Sequence, residues 1–308
     1  MPELPEVHTT VRGLKKKIVG RTIRAVWTDL AHTTHTTPHL RESLKDKKFF
    51  GYFTKHVCGA KVLTVTRRAK NILIGLDTGD TILVHMKMTG HLLFGRYVFD
   101  SKKKLWAPDP KETNEALRDP FNKYIHVVFT FNDATHLALS DARKFAKVTL
   151  IETSALDKSI HLKDLGPEPL EKTFTFETMV TQLMKRPRTQ IKQVLMDQTI
   201  IAGVGNIYSD EMLFLACIHP ETPVEQIPSK QLRALYVALQ KVLTQGIDFG
   251  GDSMSDYRNI DGRPGKFQHH HNVYRRTGAH CPKRGCTGII ERKVIGGRSA
   301  HFCPTHQH

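Results

Sequence analysis

Four residues near the end of the chain have the types and spacing of a metal site: Cys281-x4-Cys286 and, after sixteen further residues, Cys303-x2-His306. Two close ligand pairs around a hairpin-length segment suit tetrahedral zinc, because each pair forms a knuckle and the ion clamps the two together. Pro282, Gly285 and Pro304 supply the turns. A segment this short has no core of its own and needs the metal to fold, so three free thiols beside a surface histidine is the weaker alternative. Four protein ligands close the coordination shell, which makes this one structural Zn2+ and not a catalytic one. His301 and His308 are alternatives to His306 as the fourth ligand. The remaining cysteines, Cys58 and Cys217, lie in apolar stretches and read as buried, inert thiols.

A second chemistry lies at the other terminus, MPELPEV. Removal of Met1 exposes Pro2 as a secondary amine with a pKa of roughly 8, a nucleophile able to form an iminium with a sugar carbon. Glu3 and Glu6 stand beside it to move protons; taken alone, the same residues are more often just an acidic helix start. A third feature is DQTIIAGVGNIYSD, 197–210, where Gly203 and Gly205 permit a tight turn and Asn206 opens a helix. Backbone N–H groups and an amide can meet there at a phosphate, or the segment is a plain helical corner.

These residues need scaffolding, and 308 residues suffice for two domains and an appendage. Forty-six Lys and Arg against 30 Asp and Glu leave a net charge of +16, which a polyanion answers. No apolar run is long enough to span a bilayer, and the acidic start excludes a secretory signal. The expectation is therefore a cytosolic protein whose partner is a polyanion, such as nucleic acid or an anionic membrane surface.

Pro5, Gly20 and the apolar series Val7, Val11, Leu14 and Ile18 predict an opening helix. From 22 to 151, short β-type runs separated by turns predict an antiparallel sandwich, with a long exposed loop over 97–123. LGPEPL, 165–170, reads as a linker. Helical periodicity follows, with Asn206 and Ser229 expected as caps. The segment 250–265 is Gly- and Asp-rich, and 272–308 holds seven Lys or Arg against Glu291 alone.

MPELPEV, TRRAKNIL around Lys70, HMKMTG around Met88, SDARKF at 140–145, LGPEPL, IKQVLMDQTIIAGVGNIYSDE at 191–211 and the terminal finger occur in one order. Together they resemble the formamidopyrimidine-DNA glycosylase family, bacterial 8-oxoguanine DNA glycosylases and AP lyases, over residues 2–307. The resemblance implies an α+β multidomain chain. Its parts are an N-terminal antiparallel β-sandwich flanked by helices (2–152), a linker (153–170), a helix-two-turn-helix domain with a lesion-capping loop (171–271) and a β-hairpin zinc finger (272–308). It implies a bifunctional enzyme of base excision repair acting, as a monomer in the cytoplasm at the nucleoid and with no membrane partner, on duplex DNA that contains oxidised bases or abasic sites.

The resemblance also implies residue roles. Pro2 attacks C1′ of the damaged nucleotide, Glu3 is the acid that helps open the sugar, and Glu6 is a second proton handler. Lys70 contacts phosphate beside the lesion. Asn206 and Arg298 grip the phosphates flanking the flipped nucleotide. Met88, Arg143 and Phe145 fill the emptied stack, with Arg143 reading the opposite base. Extruding a base costs a few kcal/mol, and apolar wedges offset the loss.

Three features depart from the family pattern. The finger ends in His306 and has a wider first spacing, where four cysteines are usual. Lys144 replaces a second arginine and gives up a bidentate phosphate contact. The stretch between Met88 and Arg143 holds 54 residues, longer than expected. The sister enzyme for oxidised pyrimidines and a non-catalytic zinc-finger DNA-binding protein are the alternatives; Leu4 and the separated wedge residues favour the purine enzyme, and Pro2, Glu3 and Lys70 favour catalysis.

Overall fold

The structure, a computed structural model, describes residues 1–308 except for the side chains of Pro38 and His39. The chain forms two compact units, 1–163 with 250–266, and 164–249 with 267–308.

The first unit opens with helix α1 (Leu4–Ile18), whose buried face carries Val7, Val11, Leu14 and Ile18. Pro5 fixes φ in the first turn, and Lys15, Lys16 and Lys17 complement the dipole at the other end. Strand β1 (Ile23–Thr28) and the single turn α2 (Pro38–Arg41) lead to α3 (Lys47–Val57). Asp46 caps α3 by accepting from the Phe49 N–H at 2.9 Å. Next come β2 (Val62–Arg68), β3 (Asn71–Leu76), β4 (Asp80–His85) and β5 (His91–Gly95). After them run β6 (Tyr97–Asp100), β7 (Leu105–Pro108), β8 (Ile125–Phe131), β9 (His136–Ser140) and β10 (Lys147–Glu152).

Two antiparallel four-stranded sheets result, ordered β1-β8-β9-β5 and β10-β4-β3-β2. Ile72, Ile74, Ile82 and Val84 of one share a core with Val127, Phe129, Leu137 and Leu139 of the other, as a β-sandwich requires. The period of two turns Val128 and Ala138 to the outer face, where a second cluster forms with Leu93, Tyr97 and Leu117.

That outer cluster corrects the expectation for 97–123. The segment is the β6–β7 hairpin followed by 3-10 turns at Glu115–Arg118 and Pro120–Lys123. Its tip, with Lys102, Lys103 and Lys104, is exposed, while Tyr97, Leu117 and Asn122 are buried. A sheet face of Val128 and Ala138 needs a cover, and Tyr97, Trp106 and Leu117 provide it. Cys58 is a further correction: it follows the buried Val57 at the end of α3 and is exposed.

The second unit contains α4 (Phe176–Leu183), α5 (Ile191–Met196), α6 (Asn206–Leu215), α7 (Ser229–Asp248) and the hairpin β11 (Glu291–Ile295) with β12 (Arg298–Phe302). α6 packs against α5, α7 and β12, and its residues from Ile207 to Phe214 are all buried. Two caps differ from expectation. Gly205 caps α6 and Pro228 caps α7, so Asn206 and Ser229 are the first helical residues. No helix among the described residues is long and apolar enough to cross a membrane.

Candidate active site and nucleic-acid interface

Pro2 and Glu3 are buried at the start of α1. The Glu3 N–H donates to Glu6 Oε2 at 2.7 Å, and Glu6 Oε1 accepts from the Asp252 N–H at 2.7 Å. Thr10 Oγ1 and the Tyr257 hydroxyl both donate to the Glu6 carbonyl, at 2.9 and 3.0 Å. Glu6 therefore ties the peptide that carries Glu3 to the 250–266 loop. Sequence reasoning missed Asp252 and Tyr257, which no local pattern connects to the N-terminus.

α1 packs on β2 and β3, and the two-residue turn between those strands is Ala69-Lys70, with Ala69 at φ +50°. Lys70 is buried there. Its charge, with that of Lys87, adds to burial in holding the His85 imidazole down at about 3. A neutral histidine beside the lysine is a third residue that sequence reasoning missed.

Met88 follows β4, and Arg143, Lys144 and Phe145 lie between β9 and β10. The structure brings the wedge residues together: Arg143 Nη1 donates to Met88 Sδ at 3.1 Å, and the guanidinium lies 4.5 Å from the Phe145 ring centroid. Met88 is 37% and Phe145 48% exposed, which no core role explains. Buried Asp141 holds the loops: it accepts from the Thr89 hydroxyl and from the Ala146 N–H at 2.7 Å, while Thr89 Oγ1 accepts from the Arg143 N–H at 3.1 Å. Lys144, at φ +56°, turns instead to Asp29, 3.6 Å away. Beside the wedge lies a cavity of about 770 Å³ lined by Lys45, Lys87, Lys144 and Lys147 with Met88 and Phe145.

In the second unit Asn206 and Arg298 line one cavity of about 730 Å³, with Tyr274, Arg275 and Arg292. The Gly296-Gly297 turn, both residues at positive φ, is the two-residue hairpin loop that delivers Arg298 to the start of β12. Asn206 Oδ1 is buried and has no hydrogen-bond partner among the described residues. Behind it, fully buried Lys192 donates to the Asn206 carbonyl at 2.8 Å and to Asp210 Oδ1 at 2.6 Å. Asp210 Oδ2 accepts from the His301 N–H at 2.9 Å and pairs with its Nδ1 at 3.0 Å. Lys192 and Asp210 were not expected as site residues, although both lie inside the 191–211 motif, and His301 was considered only as an alternative zinc ligand.

The sulfurs of Cys281, Cys286 and Cys303 all lie within 4.8 Å of one another, with Cys286 and Cys303 at 3.7 Å. That spacing fits thiolates on one ion with metal–sulfur bonds of about 2.3 Å. Gly288 is required beside them, since a Cβ there would sit 2.6 Å from Cys303 Sγ. His306 does not join the cluster: its ring packs on Phe214, and Nε2 meets the Phe214 carbonyl at 3.1 Å. His301 is held by Asp210 and does not join it either.

Residues 1–148 match the family model "Formamidopyrimidine-DNA glycosylase N-terminal domain", and 165–258 match "Formamidopyrimidine-DNA glycosylase H2TH domain". A formamidopyrimidine-DNA glycosylase of Caulobacter sp. (strain K31) is 38% identical over 307 residues, covering 100% of both chains. One from Pelotomaculum thermopropionicum is 36% identical, covering 100% of this chain and 99% of its own. Among solved structures, Lactococcus lactis Fpg in complex with DNA containing an abasic site superposes with a TM-score of 0.81, at 29% identity and 99% coverage of each chain. The MutM (Fpg) protein of Thermus thermophilus gives a TM-score of 0.76, at 32% identity, covering 99% of this chain and 98% of that one. With sequence, fold and the grouped side chains in agreement, the chain belongs to the formamidopyrimidine-DNA glycosylase family.

Proposed function

We propose that Pro2 is the nucleophile of a DNA glycosylase that excises oxidised purines in base excision repair and then acts as an AP lyase. The observation that carries the assignment is the N-terminal turn of α1, where Pro2 adjoins a Glu3 whose backbone is anchored through Glu6. With Met1 removed, the Pro2 nitrogen attacks C1′. The bond from C1′ to the base breaks, its electron pair leaves with the base, and Glu3 delivers the proton that opens the sugar at O4′. The iminium acidifies C2′; β-elimination expels the 3′ phosphate and δ-elimination the 5′ phosphate. Glu6 orients Glu3 in addition to handling protons.

Each unit brings its own phosphate contacts. Lys70 serves in the first, and Asn206 with Arg298 in the second, where an unpartnered carboxamide and an exposed guanidinium share one cavity. Met88, Arg143 and Phe145 occupy the space the flipped nucleotide vacates. The finger takes one structural Zn2+ through Cys281, Cys286 and Cys303. The fourth ligand would be His306, whose ring would have to turn from the Phe214 carbonyl to complete a tetrahedral set. The partner is duplex DNA carrying oxidised bases or abasic sites, met in the cytoplasm at the nucleoid by a monomer.

Borohydride trapping tests this reading on duplex DNA with one 8-oxoguanine opposite cytosine. The mature protein should form a covalent adduct that is reduced in Pro2→Gly and absent when Met1 is retained. An adduct only on oxidised pyrimidines would reassign the substrate to the sister class, and none on any lesion would leave a DNA-binding protein.

A further inference from the structure

The 250–266 loop is held at two places. At one, Asp252 and Tyr257 bond to Glu6 beside the nucleophile. At the other, its residues 258–262 are gripped by the 3-10 turns that follow the β6–β7 hairpin. Asn114 Nδ2 donates to the Asp261 carbonyl at 2.9 Å, and Asn122 Nδ2 donates to the Ala116 carbonyl at 2.9 Å and the Gly262 carbonyl at 3.3 Å. Gly262, at φ +81°, lies so close that a Cβ would sit 2.6 Å from the Ala116 carbonyl oxygen. β5 adds a bond from the Phe94 N–H to the Ile260 carbonyl at 2.8 Å.

Arg258 joins the two anchors. It is buried, with Nε donating to Asp119 Oδ2 at 3.1 Å and the guanidinium 4.4 Å from the Phe121 ring centroid. Its Nη1 donates to the Ser255 carbonyl at 3.1 Å and the Tyr257 carbonyl at 2.9 Å. Between Asp252 and Tyr257, Met254 and Ser255 are exposed. A four-residue tip beside the nucleophile is thus shaped from behind by one arginine, whose ion-pair and ring partners both come from the segment between Met88 and Arg143.

We propose that Arg258, held by Asp119 and Phe121, is a positioning residue that fixes the 253–256 tip against the damaged base and so sets which oxidised purines are excised. The inference rests on the glycosylase reading given above. A tip set against the base acts on base release and is idle once the base is gone. Arg258 is buried and Asp119 partly so, and either single substitution removes the ion pair that holds the tip.

The test compares single-turnover excision of 8-oxoguanine and of a formamidopyrimidine with cleavage of abasic DNA, for wild type, Arg258→Ala, Arg258→Lys, Asp119→Asn and the Arg258→Ala/Asp119→Asn pair. Excision should fall by about tenfold or more in Arg258→Ala, with a changed ratio between the two bases, while abasic cleavage stays within about threefold. Arg258→Lys should recover part of the loss, and the double variant should be no worse than Arg258→Ala, as for coupled residues. Amide hydrogen exchange at 252–257 should quicken in the same variants. Should Arg258→Ala fail to fold, Phe121→Leu, which removes only the ring, answers the same question. Parallel loss of excision and abasic cleavage, or unchanged excision with faster exchange, overturns the inference alone. Wild-type protein that cleaves abasic DNA yet releases no oxidised purine overturns the reading of the substrate instead.

Discussion

Arg143 lies between Met88 and Phe145, donating to the thioether sulfur of one at 3.1 Å and stacking 4.5 Å from the ring of the other. Two loops on different strands are thereby joined at their tips, as they are at their bases through Thr89 and Asp141. Long side chains held in one arrangement before DNA arrives lose less entropy on insertion.

Truncating the wedge should therefore weaken DNA binding without weakening the protein. Phe145→Ala and Met88→Ala are each expected to cost about 1 kcal/mol in binding lesion-bearing duplex, roughly a factor of five per residue. Thermal midpoints should stay close to wild type, because both side chains are exposed. Placing the lesion in an unpaired bulge, where little stacking is lost, should shrink the effect; an equal loss on bulged and paired DNA would refute gap filling.

Lys192 and Asp210 behave in the opposite way. Both are fully buried, and together they hold the start of α6 and the β12 hairpin strand. Asp210→Ala strands a buried ammonium and should destabilise the second unit by about 3–5 kcal/mol. A milder variant, Asp210→Asn, should stay folded yet weaken DNA binding, since Asn206 and Arg298 are spaced by this network. If Asp210→Asn binds DNA as wild type does, the network is structural only.

For the finger, removing one thiol should matter more than removing the imidazole. Cys303→Ala should abolish stoichiometric zinc by elemental analysis, whereas His306→Ala should keep the metal in the three-thiol cluster and release it faster to a chelator. Equal release rates for His306→Ala and wild type would take His306 out of the ligand set.

How far the sequence carried the argument differs between elements. α1 and the sandwich were legible, because Val7, Val11, Leu14 and Ile18 repeat at helical spacing and short β-type runs between turn residues mark the strands. Residues 97–123 were not: Lys102 to Lys104 and three prolines give the polarity of a loop, while the apolar partners of Tyr97 and Leu117 lie on strands far along the chain. Motifs supplied the residues expected as wedge and phosphate contacts but not the residues that support them. Thr89, Asp141, Lys192 and Arg258 act through bonds to residues 18 to 139 positions away, which no local periodicity encodes.

The cavity beside the wedge gives a pH dependence. Burial, with the charges of Lys87 and Lys45, lowers Lys147 to about 8 against the pull of Glu42, and burial lowers neighbouring His161 to about 4. Lys147 is then cationic at pH 7 and largely neutral at pH 9, while His161 stays neutral throughout. DNA affinity should fall over that window, with the salt dependence losing about one phosphate contact, a slope change of about 0.9. Stability moves the other way. An unfolded lysine titrates near 10.4, so from pH 8 to 10 the unfolded chain binds more protons at this site, and the site's contribution to stability rises with pH. Anisotropy titrations over salt at pH 7 and 9 should show the slope change in wild type and not in Lys147→Gln; the same change in both proteins would place the titrating group elsewhere.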